Sequence, residues 1–131
     1  MRFPENIKYT KEHEWISVDG KIGTIGITDY AQGELGDVVF VDLNENIGDV
    51  SAGQSLGTIE AVKTVSDLYS PAAGKVIQVN QELKNSPELL NSDPYGLGWM
   101  VKIELSNASE IDGLLDALAY RTLIGQYPPA V

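Results

Sequence analysis

The sequence predicts a mainly β fold: a flattened sandwich or barrel of two antiparallel sheets with approximate two-fold symmetry, a short helix near 28–35 and a C-terminal helical segment. Three observations carry this. Short runs rich in valine and isoleucine alternate with glycine through the first two thirds of the chain, which is the grammar of strands and tight turns. Gly36-Asp37-Val38-Val39-Phe40-Val41 is echoed by Gly74-Lys75-Val76-Ile77-Gln78-Val79, and Ile59-Glu60 by Ile103-Glu104, as two similar halves packed face to face would require. Apolar residues at helical spacing gather only after Ser109.

Taken in order, Trp15, Ile16 and Val18 lead to Asp19-Gly20, a dipeptide that tolerates the positive φ of a two-residue hairpin, and Ile22, Ile25 and Ile27 follow it. Thr28 is placed to cap a helix with Asp29 in its first turn, and DYAQGEL gives it two turns ending near Gly36. Five more strands are expected over 38–43, 55–62, 64–69, 75–79 and 99–105, separated by GDVSAGQ, SPAAG and NSDPYGLG. Ser109 opens a capping-box pattern, SEID, and Ile111, Leu114, Leu115 and Leu118 continue as a broken terminal helix. Tyr127-Pro128-Pro129 cannot prolong that helix, so a frayed end is expected there. The chain reads as one domain over 1–131, with its core at about 14–106 and the helical segment at about 109–125.

Composition excludes several functions. Nine Lys and Arg face 19 Asp and Glu, a formal charge of −10, which repels nucleic-acid phosphates and anionic lipid and favours basic protein partners. There is no cysteine and one histidine, His13, so a disulfide framework, a thiolate metal site and an imidazole cluster are all ruled out. No apolar run approaches the ~18 residues of a membrane span, and the first residues carry no signal or transit pattern. A cytoplasmic monomer is expected, or a mitochondrial matrix protein if the chain is a processed organellar one.

Lys63 is the residue that needs explaining. With Ile59-Glu60-Ala61-Val62 entering a turn and Thr64-Val65-Ser66-Asp67 leaving it, the lysine projects from a hairpin tip. A solvated lysine is a cation and a poor nucleophile without desolvation, so catalysis by its own amine is not expected. What a tip offers is access from all sides on a support fixed by its strands. That suits a modifying enzyme or a swinging prosthetic group, although tip lysines also serve simply to keep sheets soluble.

GTIEAVKTVSDLYSPAAGKVIQVN (57–80), with YTKEHEWI (9–16), IGITDYAQGELGDVVFVDL (25–43) and LLNSDPYGLGWMVKIEL (89–105), resembles the H proteins of the glycine cleavage system, in blocks that run in order over nearly the whole chain. The resemblance implies the lipoyl/biotinyl hybrid barrel-sandwich fold with added helices. It implies a carrier, not an enzyme, with lipoic acid in amide linkage to Lys63. Its arm would visit glycine dehydrogenase (decarboxylating), a tetrahydrofolate-dependent aminomethyltransferase and dihydrolipoyl dehydrogenase, after a lipoate-attaching enzyme has loaded it. Biotin carriers place methionine on both sides of their lysine, and acyltransferase lipoyl domains show Asp-Lys-Ala; Val62 and Thr64 match neither pattern.

Glu60, with Val62 and Thr64, is expected to be read by the attaching enzyme, the alternative for Glu60 being a plain strand-face charge; Asp67, four residues past the tip, and Glu14, in the HEW segment that the resemblance sets close by, are expected at the cleft in which a loaded, cationic arm rests. A lipoyl carrier serving other pathways is the neighbouring alternative. A small acid-base enzyme built on His13 and Glu14 is the alternative from another class, although nothing around His13 suggests a reacting partner. Trp15, Tyr30 and Trp99 are expected as core and cleft-wall aromatics.

Overall fold

A computed structural model describes residues 1–125; the expectation of a frayed end at Tyr127-Pro128-Pro129 falls outside the described residues. Among the described residues nine strands form two antiparallel sheets. In chain order they are β1 (Lys8–Tyr9), β2 (Glu14–Asp19), β3 (Ile22–Ile27), β4 (Val38–Leu43), β5 (Asp49–Val50), β6 (Ser55–Ala61), β7 (Val65–Tyr69), β8 (Gly74–Val79) and β9 (Val101–Leu105). The larger sheet runs β1-β2-β3-β9-β8-β5 and the smaller β4-β6-β7. Ile16, Ile25, Val101 and Ile103 from the first meet Val41, Ile59 and Leu68 from the second in one apolar core, and each is at most a few per cent exposed.

All seven expected strands are present, most within a residue or two of the expected ends. The first hairpin turns one residue later than expected, on Gly20-Lys21, because Asp19 still pairs with Ile22. Only Gly20 there takes a positive φ, 63°, which is the requirement of a turn with glycine at its first central position. Trp15 lies over its cross-strand partner Gly26, where a Cβ would sit 2.7 Å from the indole nitrogen; the aromatic ring covers the gap left by the glycine.

The halves are related as the echo implies, but only in part. β4 and β8 each carry a bulge, between Val38 and Phe40 and between Val76 and Gln78. The extra residues, Val39 and Ile77, stand at equivalent positions of the echo and are both about half exposed. The second part of the echo is out of register: Ile59 faces Val41, whereas Ile103 faces Val76 and Val79 faces Val101. The slip is two residues, which keeps every inward side chain on the core face.

α1 (Asp29–Leu35) is capped as expected, with the Thr28 hydroxyl accepting the Ala31 N–H and Gly36 at φ 75° ending it. Two single-turn helices, α2 (Glu82–Asn85) and α3 (Leu89–Ser92), fill the connection before β9 and bury Leu83 and Leu90. The C-terminal segment is broken more completely than a bent helix. A 3-10 helix, Ala108–Gly113, is capped by Asn107 instead of Ser109, and α4 (Ala117–Leu123) by Asp116. Between them Leu115 exchanges two backbone hydrogen bonds with Tyr9 of β1, at 2.8 and 3.0 Å, and this strand-like pairing is what prevents one continuous helix. α4 closes a satellite cluster in which Tyr120 stacks on Tyr9 with ring centroids 4.8 Å apart, beside Trp15.

Candidate functional site

The β6–β7 hairpin carries Lys63 at its end. Glu60 pairs with Val65, the Ala61 N–H donates to the Thr64 carbonyl at 2.8 Å, and only Val62 and Lys63 remain in the loop. The Val62 N–H donates to the Asp37 carbonyl at 3.0 Å, which ties the tip to the start of β4. Val62, Lys63, Thr64 and Val65 are all exposed, with Val62 at 70%. The Lys63 side chain has no hydrogen-bond or ion-pair partner among the described residues. Nothing has to be displaced to reach its amine.

Glu60 lies on the outer face of the small sheet, between its cross-strand neighbours Phe40 and Val65. Val39, Phe40, Val62 and Val65 are each half or more exposed, so the approach to the lysine is apolar with one carboxylate in it. Val62 and Thr64 flank the lysine as the sequence requires and offer small, uncharged sides.

Glu14 has a different environment. It begins β2 but is 2% exposed. One carboxylate oxygen accepts the Thr10 hydroxyl, and the other lies 3.4 Å from the Tyr69 N–H of β7. The Glu14 N–H in turn donates to the Thr10 hydroxyl at 3.1 Å. Burial pushes the Glu14 carboxyl up to about 7, against these hydrogen bonds, which act to lower it. It forms part of the wall of a cleft of about 600 Å³ together with Tyr9, Thr10, Tyr69, Pro71 and Leu115.

Asp67 is not in that wall. Strand alternation turns it to the exposed face of β7, where its carboxylate accepts the Tyr69 hydroxyl at 3.3 Å. Tyr69 stands between Asp67 and Glu14, its N–H toward Glu14 and its hydroxyl toward Asp67. Thr10 and Tyr69 were not picked out from sequence. Thr10 had a signal in its place four residues before Glu14; Tyr69 reaches Glu14 across 55 residues and had none.

His13 is no acid-base partner of Glu14. It takes φ 71°, and its Nδ1 lies 2.9 Å from the Tyr120 hydroxyl, which is also 2.8 Å from the Thr28 hydroxyl. Its ring packs near Tyr30, and burial lowers its pKa, against the raising influence of Glu12 and Glu34. The two residues thus face different neighbours. Trp15 is buried, and Trp99, with Lys102 over its ring, lines a shallow groove on the other side of the large sheet. No helix among the described residues is long and apolar enough to cross a membrane.

The family model of the glycine cleavage H-protein matches residues 7–127. The chain is 52% identical over 126 residues to the glycine cleavage system H protein of Staphylococcus carnosus, covering 96% of this chain and 100% of that one. It is 59% identical over 117 residues to that of Symbiobacterium thermophilum, covering 89% and 91%. The crystal structure of the glycine cleavage system H protein from Mycobacterium marinum superposes with a TM-score of 0.84 at 39% identity, covering 94% of this chain and 99% of that chain. A lysine held free at a β-hairpin tip, on a fold and a sequence shared at this level over nearly the full length, places the chain in the glycine cleavage H-protein family.

Proposed function

We propose that Lys63 carries lipoic acid in amide linkage and that this single-domain chain is the non-catalytic lipoyl carrier of glycine cleavage in a bacterial cytoplasm. Its partners are then glycine dehydrogenase (decarboxylating), aminomethyltransferase, dihydrolipoyl dehydrogenase and a lipoate-attaching enzyme. The observation that carries this reading is the unpartnered, exposed Lys63 on a tip whose backbone is fixed on both sides. The bound lipoyl group supplies a disulfide able to take up the aminomethyl group and to be reoxidised after it is passed on.

The chain's own part is placement. A rigid hairpin keeps the tethered group at a millimolar-scale effective concentration for whichever enzyme has docked. Glu60, Val62 and Thr64 form the surface that the attaching enzyme meets. The Glu14 cleft is the resting place for a loaded arm: a cationic amine there would offset the burial that raises the Glu14 pKa and favour its carboxylate form, and Asp67 adds negative charge on the approach along β7.

The test is intact mass after expression with lipoate-attaching activity, for the parent and Lys63→Ala. The parent should gain one lipoyl group and the variant none. Mixed with the other three components, the loaded parent should restore glycine oxidation. Equal loading of the Lys63→Ala variant would refute the assignment.

A further inference from the structure

The segment that follows α2 holds α1 at both ends. At the start of α1, the Tyr95 hydroxyl accepts the Asp29 N–H at 3.0 Å and donates to the Arg2 carbonyl at 2.7 Å. At its end, the side chain of Asn91, in α3, makes three contacts at one junction. Its Oδ1 accepts the Val38 N–H at 2.9 Å; its Nδ2 donates to the Gly36 carbonyl at 2.8 Å and to Gln32 Oε1 at 3.1 Å. Asp37 stands between Gly36 and Val38, and its carbonyl is the acceptor for the Val62 N–H beside Lys63.

We propose that Asn91 is the positioning residue of the Lys63 tip: by gripping Gly36 and Val38 it aims the Asp37 carbonyl at Val62 and holds the lysine where an attaching enzyme can use it. This rests on the reading of Lys63 as the attachment site. Val62 through Val65 are exposed, so beyond the β6–β7 ladder the tip is located through the start of β4, where Val38 pairs with Ala61 and Asp37 accepts from Val62. Asn91 lies 53 residues from Val38 and adds a long-range grip to that junction. Gly36 sits at φ 75°, a bend with a low barrier to alternative conformers once its carbonyl is released.

A tip that spends only a fraction of its time in the competent geometry raises the apparent KM by the inverse of that fraction. Its kcat is unaffected, since the docked tip is ordered by the enzyme. In attachment the Lys63 amine attacks the carbonyl of a lipoyl adenylate. The amide bond forms, the bond from that carbonyl to phosphate oxygen breaks, AMP leaves and the amine gives up a proton. Asn91 touches none of these atoms and acts through the backbone alone.

The experiment uses the full chain without lipoate, a lipoate–protein ligase, lipoate and ATP. It reads KM and kcat for loading, and amide hydrogen exchange at Val62 with Ile59 as the core reference. Asn91→Ala should speed Val62 exchange about tenfold, the worth of one well-placed hydrogen bond, and raise KM by up to that factor as the competent fraction falls, with kcat within about twofold and Ile59 unchanged. Asn91→Asp, which keeps the acceptor for Val38 and loses both donated bonds, should fall between. Gln32→Ala leaves both grips in place and should move KM less than about threefold, a control for loss of fold. An unchanged KM and Val62 exchange in Asn91→Ala overturns the proposal, and so does a rise at Ile59 equal to that at Val62. If even the parent accepts no lipoyl group, the attachment reading fails, while Val62 exchange still decides the role of Asn91.

Discussion

Replacing Glu14 by glutamine should stabilise the protein above pH 7 and leave it nearly unchanged at pH 4.5. Glu14 is 2% exposed, and burial moves its carboxyl from 4.5 to about 7. Between these pH values the folded chain keeps a proton that the unfolded chain releases, so stability falls as pH rises through the window and levels off above it. At about 1.4 kcal/mol for each tenfold change in proton affinity, the loss is about 3 kcal/mol. A neutral glutamine removes it and can still accept from the Tyr69 N–H while donating to the Thr10 hydroxyl. For 131 residues, 1 kcal/mol corresponds to about 4 °C in Tm. Thermal melts of the lipoate-free chain and of Glu14→Gln from pH 4.5 to 8 are the assay. The difference between the two cancels every other titrating group. It should open from about zero to about 12 °C in favour of the variant. A difference that stays flat across the window would refute the reasoning, because it would mean that Glu14 ionises at the same pH in the folded and the unfolded chain.

Three further substitutions test the frame around the site. Tyr120→Phe removes the hydroxyl shared by Thr28 and His13 and should cost about 1–2 kcal/mol, read as a lower urea midpoint at constant slope. Gly74→Ala places a Cβ 2.4 Å from the Glu104 carbonyl; overpacking of this kind costs about 1–3 kcal/mol, and a Tm within about 1 °C of the parent would show that β8 can shift freely. Asp116→Ala removes the cap of α4, whose carboxylate accepts the Ala119 N–H at 2.8 Å; a loss of about 1 kcal/mol in denaturant titration is expected.

The sheet elements were legible because each is long enough to show alternation and is bounded by glycine, proline or an Asx residue. β1 and β5 were not, since two residues have no period, and α2 and α3 are single turns without a repeat. Lys63 was readable as a tip residue because everything that defines it lies within four residues on either side. Glu14 carried no mark among nineteen acids that it would be the buried one. That follows from Thr10, four residues back, and from Tyr69, which arrives on another strand. For Asp67, closeness in sequence to the tip did not say which face of β7 it would take; it lies on the exposed face, bonded to the Tyr69 hydroxyl.

The imperfect symmetry of the two halves explains why only one of them offers a tip. Both halves carry the same bulge, at Val39 and Ile77, and both pack the next valine inward. In the observed register Lys63 corresponds to Leu105, the end of β9, and Asn107 follows two residues on. There the chain does not turn back as a strand: Asn107 caps a 3-10 helix, Leu115 pairs with Tyr9, and Tyr120 stacks into the satellite cluster. That half ends covered by its own C-terminal segment. Among the described residues the Lys63 half has no such cover, and its two-residue loop is fastened by backbone bonds at Thr64 and Asp37. The sandwich thus closes one end with helix and leaves the other, with Lys63, as bare, braced backbone. The prediction that follows is directional: substitutions in α4 should change stability and leave the rate of loading at Lys63 unaltered, whereas substitutions at the Gly36–Val38 junction should change both, because Val38 is in the core and Gly36 takes φ 75°.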